Sequence, residues 1–389
     1  MQTIENFLPD DGLAGALVGR VWNPSGPNAG PMVVTVRESG VIDITAAFPT
    51  VADLLDQVNP AGALRAASGT RLASVAELLA NSHQPVEAPV MRFLAPVDVQ
   101  VIKACGVTFA DSMLERVIEE RAKGDAAGAA RVRAEIAGVL GDNLEGLKPG
   151  SEAAMALKAV LQAQGWWSAY LEVGIGPDAE VFTKAPVLGA VGPGAMVGIR
   201  SDSSWNNPEP EVVLAVNARS ECVGVSLGND VNLRDIEGRS ALLLGKAKDN
   251  NASCAIGPFI RLFDDTFSLD DVRQMALELE VDGTDGYNLQ GVNQMARISR
   301  DPLDLIAQTV KAHQYPDGFM LFTGTLFAPT KDRDAVGAGF THHVGDVVRI
   351  RSRWLGELCN TVTHSETAPP WVFGVRSLMR NLAARGLLK

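Results

Sequence analysis

The chain has 389 residues, more than a single domain of usual size needs, and 46% of them are hydrophobic, enough for a substantial core. Its 46 acidic against 34 basic residues give a formal net charge of -12, which argues against a nucleic-acid backbone or an anionic membrane surface as the main partner. Small-molecule chemistry is the reading that remains.

The opening MQTIENFLPDDGLAGALVG carries acidic residues where a signal peptide needs a positive n-region, and no apolar run is long enough to span a bilayer. A soluble, cytoplasmic protein is expected. Cys105, Cys222, Cys254 and Cys359 are irregularly spaced with no CxxC, so they read as reduced thiols, not as a disulfide framework or a zinc site.

Residues 14 to 48 hold apolar runs between turn-rich stretches and predict a small strand-rich unit. PTVADLLDQV predicts a helix, because Val51, Leu54, Leu55 and Val58 share one face at helical spacing. NSHQPVEAP marks the best boundary, so residues 1–90 are expected to form an N-terminal domain and residues 91–389 a catalytic one. From Ser112 to about residue 165 the chain turns helical; LERVIEERAKG and AARVRAEIAGVL are charged and amphipathic, and their charge runs predict a solvated face. Strands return after residue 180, in EVVLAV, FMLFTGTLF and DVVRIRS.

The chemistry is concentrated in those strands. Glu209 and Glu211 stand two apart among Pro208 and Pro210, at the entrance of the apolar strand Val212–Val216, and residues two apart on a strand share a face. They are either a solvated edge or a pair converging on a cation. Asp230 follows a Gly-Asn turn, where it could equally be a turn former. Together the three carboxylates form an oxygen-only set suited to a hard cation such as Mg²⁺. Without one, their mutual repulsion would raise at least one pKa. Lys246 and Lys248 precede a polar, turn-rich stretch, and Thr323 and Thr325 flank Gly324 after an apolar strand, where hydroxyls and a close backbone can hold a carboxylate.

EPEVVL, SLGNDVNLRD, a lysine ahead of IGP, FTGT and GDVVRIRSRWLGELCNTV stand in the order and approximate spacing of the fumarylacetoacetate hydrolase superfamily, which residues 91 to 365 resemble. The resemblance implies an α+β, mostly β catalytic fold with a helical insertion behind a small N-terminal domain, commonly in a homodimer or higher homo-oligomer. It implies a Mg²⁺ (or Mn²⁺) site on Glu209, Glu211 and Asp230. Lys248, whose interval to Gly257 and Pro258 fits without a gap, matches the family's lysine, and Thr325 its carboxylate-binding threonine.

The departure is at GVTFADSMLER. The hydrolase branch has a His and a Glu three residues later; here Ser112 stands for the histidine, Thr108 and Phe109 for an Asn and a Tyr, and Glu115 is retained. A serine hydroxyl cannot serve as general base near pH 7. Ser112 and Glu115 also read as a capping box, which would aim a helix N-terminus at an anionic substrate. The long insertion, AKDNNASCAIGP and FMLFTGTLFAP resemble the branch that dehydrates 2-keto-3-deoxy sugar acids. That likeness implies a hydro-lyase turning a 2-keto-3-deoxypentonate into 2,5-dioxopentanoate through a metal-stabilised enolate. Lys248 or Glu115 would move protons in it, with Ser112 beside them and Thr325, Gly324, Thr108 and Phe109 around the 2-keto acid. The alternatives are a hydrolase or decarboxylase of an acylpyruvate or diketo acid, and a non-catalytic metabolite-binding protein. His342 and His343 read as loop residues, and Trp166 and Trp167 as packing of the helical layer.

Overall fold

The apolar runs pair into two packed sheets. The computed structural model describes residues 3–388 apart from 124, 126, 127, 130, 133–146, 328, 330, 337 and 338, and apart from the side chains of 111 and 112. The larger sheet runs in the order Thr70–Ala73, Gly40–Asp43, Gly30–Arg37, Ala16–Asn23, Cys254–Leu262, Cys222–Asp230, Pro210–Val216, Phe319–Phe322, Val101–Gly106 and Glu180–Ala185, with Arg92–Leu94 also pairing to Ala16–Asn23. Strand Ala16–Asn23 pairs antiparallel with Cys254–Leu262, so one sheet runs through the N-terminal and catalytic parts of the chain.

The smaller sheet orders Asn288–Gln294, Ala276–Asp282, Val347–Ser352, Gly356–His364 and Met196–Ile199. Between the sheets, Val212, Leu214, Val225 and Leu227 of the larger pack with Leu277, Leu279, Val348 and Ile350 of the smaller. Val213 and Ala215 point to the other face, toward Met320, Phe322 and the N-terminal helices. Pro210–Val216 is therefore a central strand, buried on both faces, and Pro210 is tolerated because it is the first residue of the ladder. The architecture is α+β and mostly sheet.

Two local expectations change. The helix from Val51 stops at Leu55, and Val58 is 99% exposed. Pro60 opens a second helix capped by the Asn59 side chain, and a residue before proline is driven out of the helical region, so the first helix cannot run on. The helix expected from Ser112 begins earlier, spanning Ala110–Arg121 with Phe109 as its N-cap and no side-chain cap bond. Ser112 is thus the third residue of the helix and not its cap; its side chain lies outside the described residues. Most of AARVRAEIAGVL likewise lies outside them.

Met113, Val117 and Ile118 of Ala110–Arg121 pack with Leu161, Tyr170 and Leu171 of the following helices. Trp166 lies under Arg121, 4.0 Å from guanidinium carbon to ring centroid, and Trp167 donates to Glu172 at 3.0 Å, so both tryptophans serve this layer. The opposite, charged face of the helix is not solvated as its charge run predicted. Glu119 is buried and Arg116 nearly so, because Arg116 reaches Glu209, beside the central strand, and Glu237, while Glu119 pairs with Arg116 and with Arg234 at 2.6 Å.

Candidate active site

Glu211 is in register with Gly228 on the neighbouring strand, and Asp230 ends that strand two residues on, so the ladder carries all three predicted carboxylates to one end of the sheet. Ligand oxygens of Glu209, Glu211 and Asp230 lie within 4.8 Å of one another, and all three residues are buried. The solvated-edge and turn readings are thereby set aside.

Lys248 reaches the same point from the last turn of the helix Leu244–Lys248, with Nζ 2.6 Å from Glu209 Oε2 and 3.2 Å from Asp230 Oδ2. Lys246 faces outward, its nearest acid being Asp202 at 3.7 Å. Gly324 N donates to Glu211 Oε2 at 2.6 Å. That glycine is required twice over: its φ is +89°, and a Cβ there would lie 2.1 Å from Thr108 Oγ1. Thr325 lines the cavity and accepts from Phe327 N at 3.1 Å, which leaves its hydroxyl hydrogen to donate.

Thr108 and Phe109 do not line this cavity. Thr108 is fully buried and its hydroxyl donates to Thr323 O at 2.6 Å, bracing the Thr-Gly-Thr turn from behind. Phe109 is a core residue. Glu115 lies at the adjoining cavity, 3.4 Å from Arg234, not at the carboxylate cluster. His342 is buried in its loop against Asp346 at 3.0 Å, away from the three carboxylates.

The structure adds four charged residues to those read from sequence. Lys184, fully buried, lies 2.7 Å from Asp230 Oδ1 and donates to Lys248 O at 2.5 Å. Glu180 lines the cavity from the same strand, four residues earlier and so on the same face. Arg116 pairs with Glu209, with Glu119 at 2.8 Å and with Glu237 at 3.0 Å. Their one legible signal is the alternation Glu180, Phe182, Lys184, which places two charges on a face that a buried strand would fill with apolar groups.

Electrostatically the cavity is unbalanced. Its wall carries Glu180, Glu209, Glu211, Asp230 and Glu237 against Lys248 and Arg116. Burial, then Asp230 and Glu209, push Glu211 well above the usual carboxylate range. Burial would raise Asp230 too, but Lys184 and Lys248 overcome it and hold Asp230 low. Burial pulls Lys248 down, yet Asp230, Glu209 and Glu237 outweigh it and keep the ammonium charged. Glu180 is pushed up to about 7, by burial first and Glu237 second. A cluster of oxygen ligands in which burial and two like charges oppose the ionisation of one carboxylate fits a divalent hard cation, which would relieve that conflict.

Residues 189–363 match the model of the fumarylacetoacetate (FAA) hydrolase C-terminal domain. A probable 2-keto-3-deoxyxylonate dehydratase of Haloferax volcanii is 32% identical over 194 residues, covering 50% of this chain and 63% of that one. The 2-dehydro-3-deoxy-D-arabinonate dehydratase of Saccharolobus solfataricus is 31% identical over 157 residues, 40% of this chain and 51% of its own. The matched stretches thus span between half and two thirds of these curated relatives. Among solved structures, 2-keto-3-deoxy-D-arabinonate dehydratase complexed with magnesium and 2,5-dioxopentanoate superposes with a TM-score of 0.62 over 90% of this chain and 99% of its own, at 20% identity. Its apo form gives 0.63 at 19% identity, over the same 90% and 99%. At such identities these likenesses establish the fold. The sequence match therefore assigns residues 189–363 to the fumarylacetoacetate hydrolase C-terminal domain, and the chain as a whole shares the fold of these solved structures.

Proposed function

We propose that the protein is a Mg²⁺-dependent hydro-lyase that dehydrates a 2-keto-3-deoxypentonate to 2,5-dioxopentanoate. One observation carries the reading: three buried carboxylates with ligand oxygens within 4.8 Å of one another, in a cavity lined by two further carboxylates and a lysine but, among the described residues, by no histidine. The names of the two curated relatives and of the magnesium-bound neighbour support it.

Glu209, Glu211 and Asp230 would hold the ion, which when bound supplies Lewis acidity to a 2-keto group and makes the C3 protons acidic. Lys248 sits against two of these ligands and, charged, offers the acid substrate an electrostatic anchor in preference to a base. Thr325 donates its hydroxyl hydrogen to the substrate's carboxylate. Glu180, with a pKa brought near neutrality, suits proton transfer in both directions, taking a C3 proton and returning one to the departing C4 hydroxyl. Elimination removes a C3 proton and the C4 hydroxyl as water. Tautomerisation then moves one hydrogen from C5 and one from its hydroxyl to C3 and C4, which leaves an aldehyde at C5. The hydrolase alternative needs an activated water, and no described residue of the cavity is a neutral base of the imidazole kind.

The test is a turnover assay on protein stripped with EDTA, with Mg²⁺ withheld or restored, on 2-keto-3-deoxyarabinonate and 2-keto-3-deoxyxylonate, read by an aldehyde dehydrogenase. Mg²⁺-dependent semialdehyde from at least one is expected. Its absence from both, with acid products from an acylpyruvate instead, would assign the hydrolase.

A further inference from the structure

Beside the carboxylate cluster lies a second cavity, whose wall includes Glu115, Glu119, Asn207, Arg234 and Phe327. It borders the first along Arg116, Glu209 and Thr325, which line both. Its charges are matched internally. Arg234 lies 2.6 Å from Glu119 and 3.4 Å from Glu115, and Arg116 is bound to Glu119. With Glu209 counted among the metal ligands, two arginines face two glutamates.

One wall group is not matched. Asn207 is 2% exposed, and its amide nitrogen donates to Pro208 O at 2.9 Å, but its Oδ1 is buried with no hydrogen-bond partner. A buried acceptor left so costs on the order of 1–3 kcal/mol and calls for a donor. Asn207 is also fixed in place, since Asn206–Asn207 pairs with Asn232–Leu233 two residues ahead of the first carboxylate.

We propose that this cavity is the subsite for the hydroxylated, uncharged end of the substrate, and that Asn207 Oδ1 accepts a hydrogen bond from the hydroxyl of C5. The inference rests on the reading that the substrate is a 2-keto acid held at the carboxylate cluster. A polar wall with matched charges suits a hydroxyl; a second carboxylate would meet Glu115 and Glu119 with no cation to spare, and an alkyl tail would leave Asn207 Oδ1 unpaired. Asn207 is then a specificity-determining residue: it selects what lies beyond the reacting carbons.

The experiment is isothermal titration, with Mg²⁺ present, of 2-oxopentanoate, its 5-hydroxy derivative and 2-oxoglutarate. None has a C4 hydroxyl to lose, so binding is read without turnover. The wild-type protein is expected to bind the hydroxy acid roughly tenfold tighter than 2-oxopentanoate, the worth of one hydrogen bond to a buried acceptor, and 2-oxoglutarate no tighter than 2-oxopentanoate. Asn207→Ala should bring the first ratio to about one, and Asn207→Asp should keep a preference. Ring closure of the hydroxy acid in solution affects wild type and variant alike and cancels between them. Equal binding of hydroxy and deoxy acids by the wild type overturns the proposal without any variant, as does a ratio that survives Asn207→Ala or a preference for 2-oxoglutarate. The hydroxyl preference without dehydration of any pentonate would overturn the reaction and leave the subsite; dehydration without the preference would do the reverse.

Discussion

Two clusters of buried charge in this fold are treated in opposite ways. In the first, Asp346 accepts from Arg333 at 2.7 and 2.8 Å, from His343 N at 3.0 Å and lies 3.0 Å from His342 Nδ1. Burial alone would raise its pKa, but Arg333 and His342 hold it far below the usual range. Every oxygen is used and the charge is answered. In the second, Glu211 is equally buried, receives one backbone N–H from Gly324, and is driven up by burial and by Asp230 and Glu209. The chain answers the charge of a buried carboxylate where it ties a loop and leaves that of Glu211 unanswered, as the proposed cation site requires.

The contrast is sharpest under mutation. Glu211→Gln should abolish Mg²⁺-dependent turnover, by about 10³-fold or more, or roughly 4 kcal/mol of transition-state stabilisation, while leaving the metal-free protein as stable as wild type or more so. Asp346→Asn should act in the other sense: about 2–3 kcal/mol lost from stability in urea unfolding, because the buried Arg333 keeps only Asp285 as its acid partner and His342 loses the carboxylate beside it, with Mg²⁺ affinity little changed. If both variants destabilise the metal-free protein alike, the two clusters are of one kind and the contrast fails.

Adding Mg²⁺ should raise the wild type's Tm saturably, by the equivalent of about 2.7 kcal/mol at a hundred times Kd, and leave Glu211→Gln unmoved. Smaller is the pH effect of Glu180. Its pKa of about 7 in the folded protein is raised above the ordinary value, so its contribution to stability is full below the unfolded pKa and is lost as pH rises through neutrality. Metal-free wild type should therefore lose on the order of 1–2 kcal/mol between pH 5 and 8 relative to Glu180→Gln, read from paired melting curves. The smallest effect is the control. Lys246→Ala, at an exposed lysine two residues from Lys248, should change turnover by less than about twofold.

What could be read from the chain follows the reach of each signal. Strand alternation gives Glu209 and Glu211 a common face but leaves open a solvated edge; their role as a set with Asp230, and the choice of Lys248 over Lys246 by its interval to Gly257 and Pro258, come from the family resemblance. Arg116, Glu180, Lys184 and Glu237 were not legible, because their roles depend on which distant elements meet. Arg116 lies 93 residues from Glu209 in sequence, and only tertiary packing turns its helix's charged face inward. The same packing carries Thr108 behind the Thr-Gly-Thr turn instead of into the cavity. Val58 missed its expected face for a local reason, the helix restart at Pro60.

The central claim is that Glu209, Glu211 and Asp230 bind one divalent ion. Anomalous scattering from crystals soaked in Mn²⁺ tests it directly. A single strong peak about 2.1 Å from an oxygen of each of the three side chains is expected. Crystals saturated with Mn²⁺ that show no peak there, with the three carboxylates still converged, would contradict it.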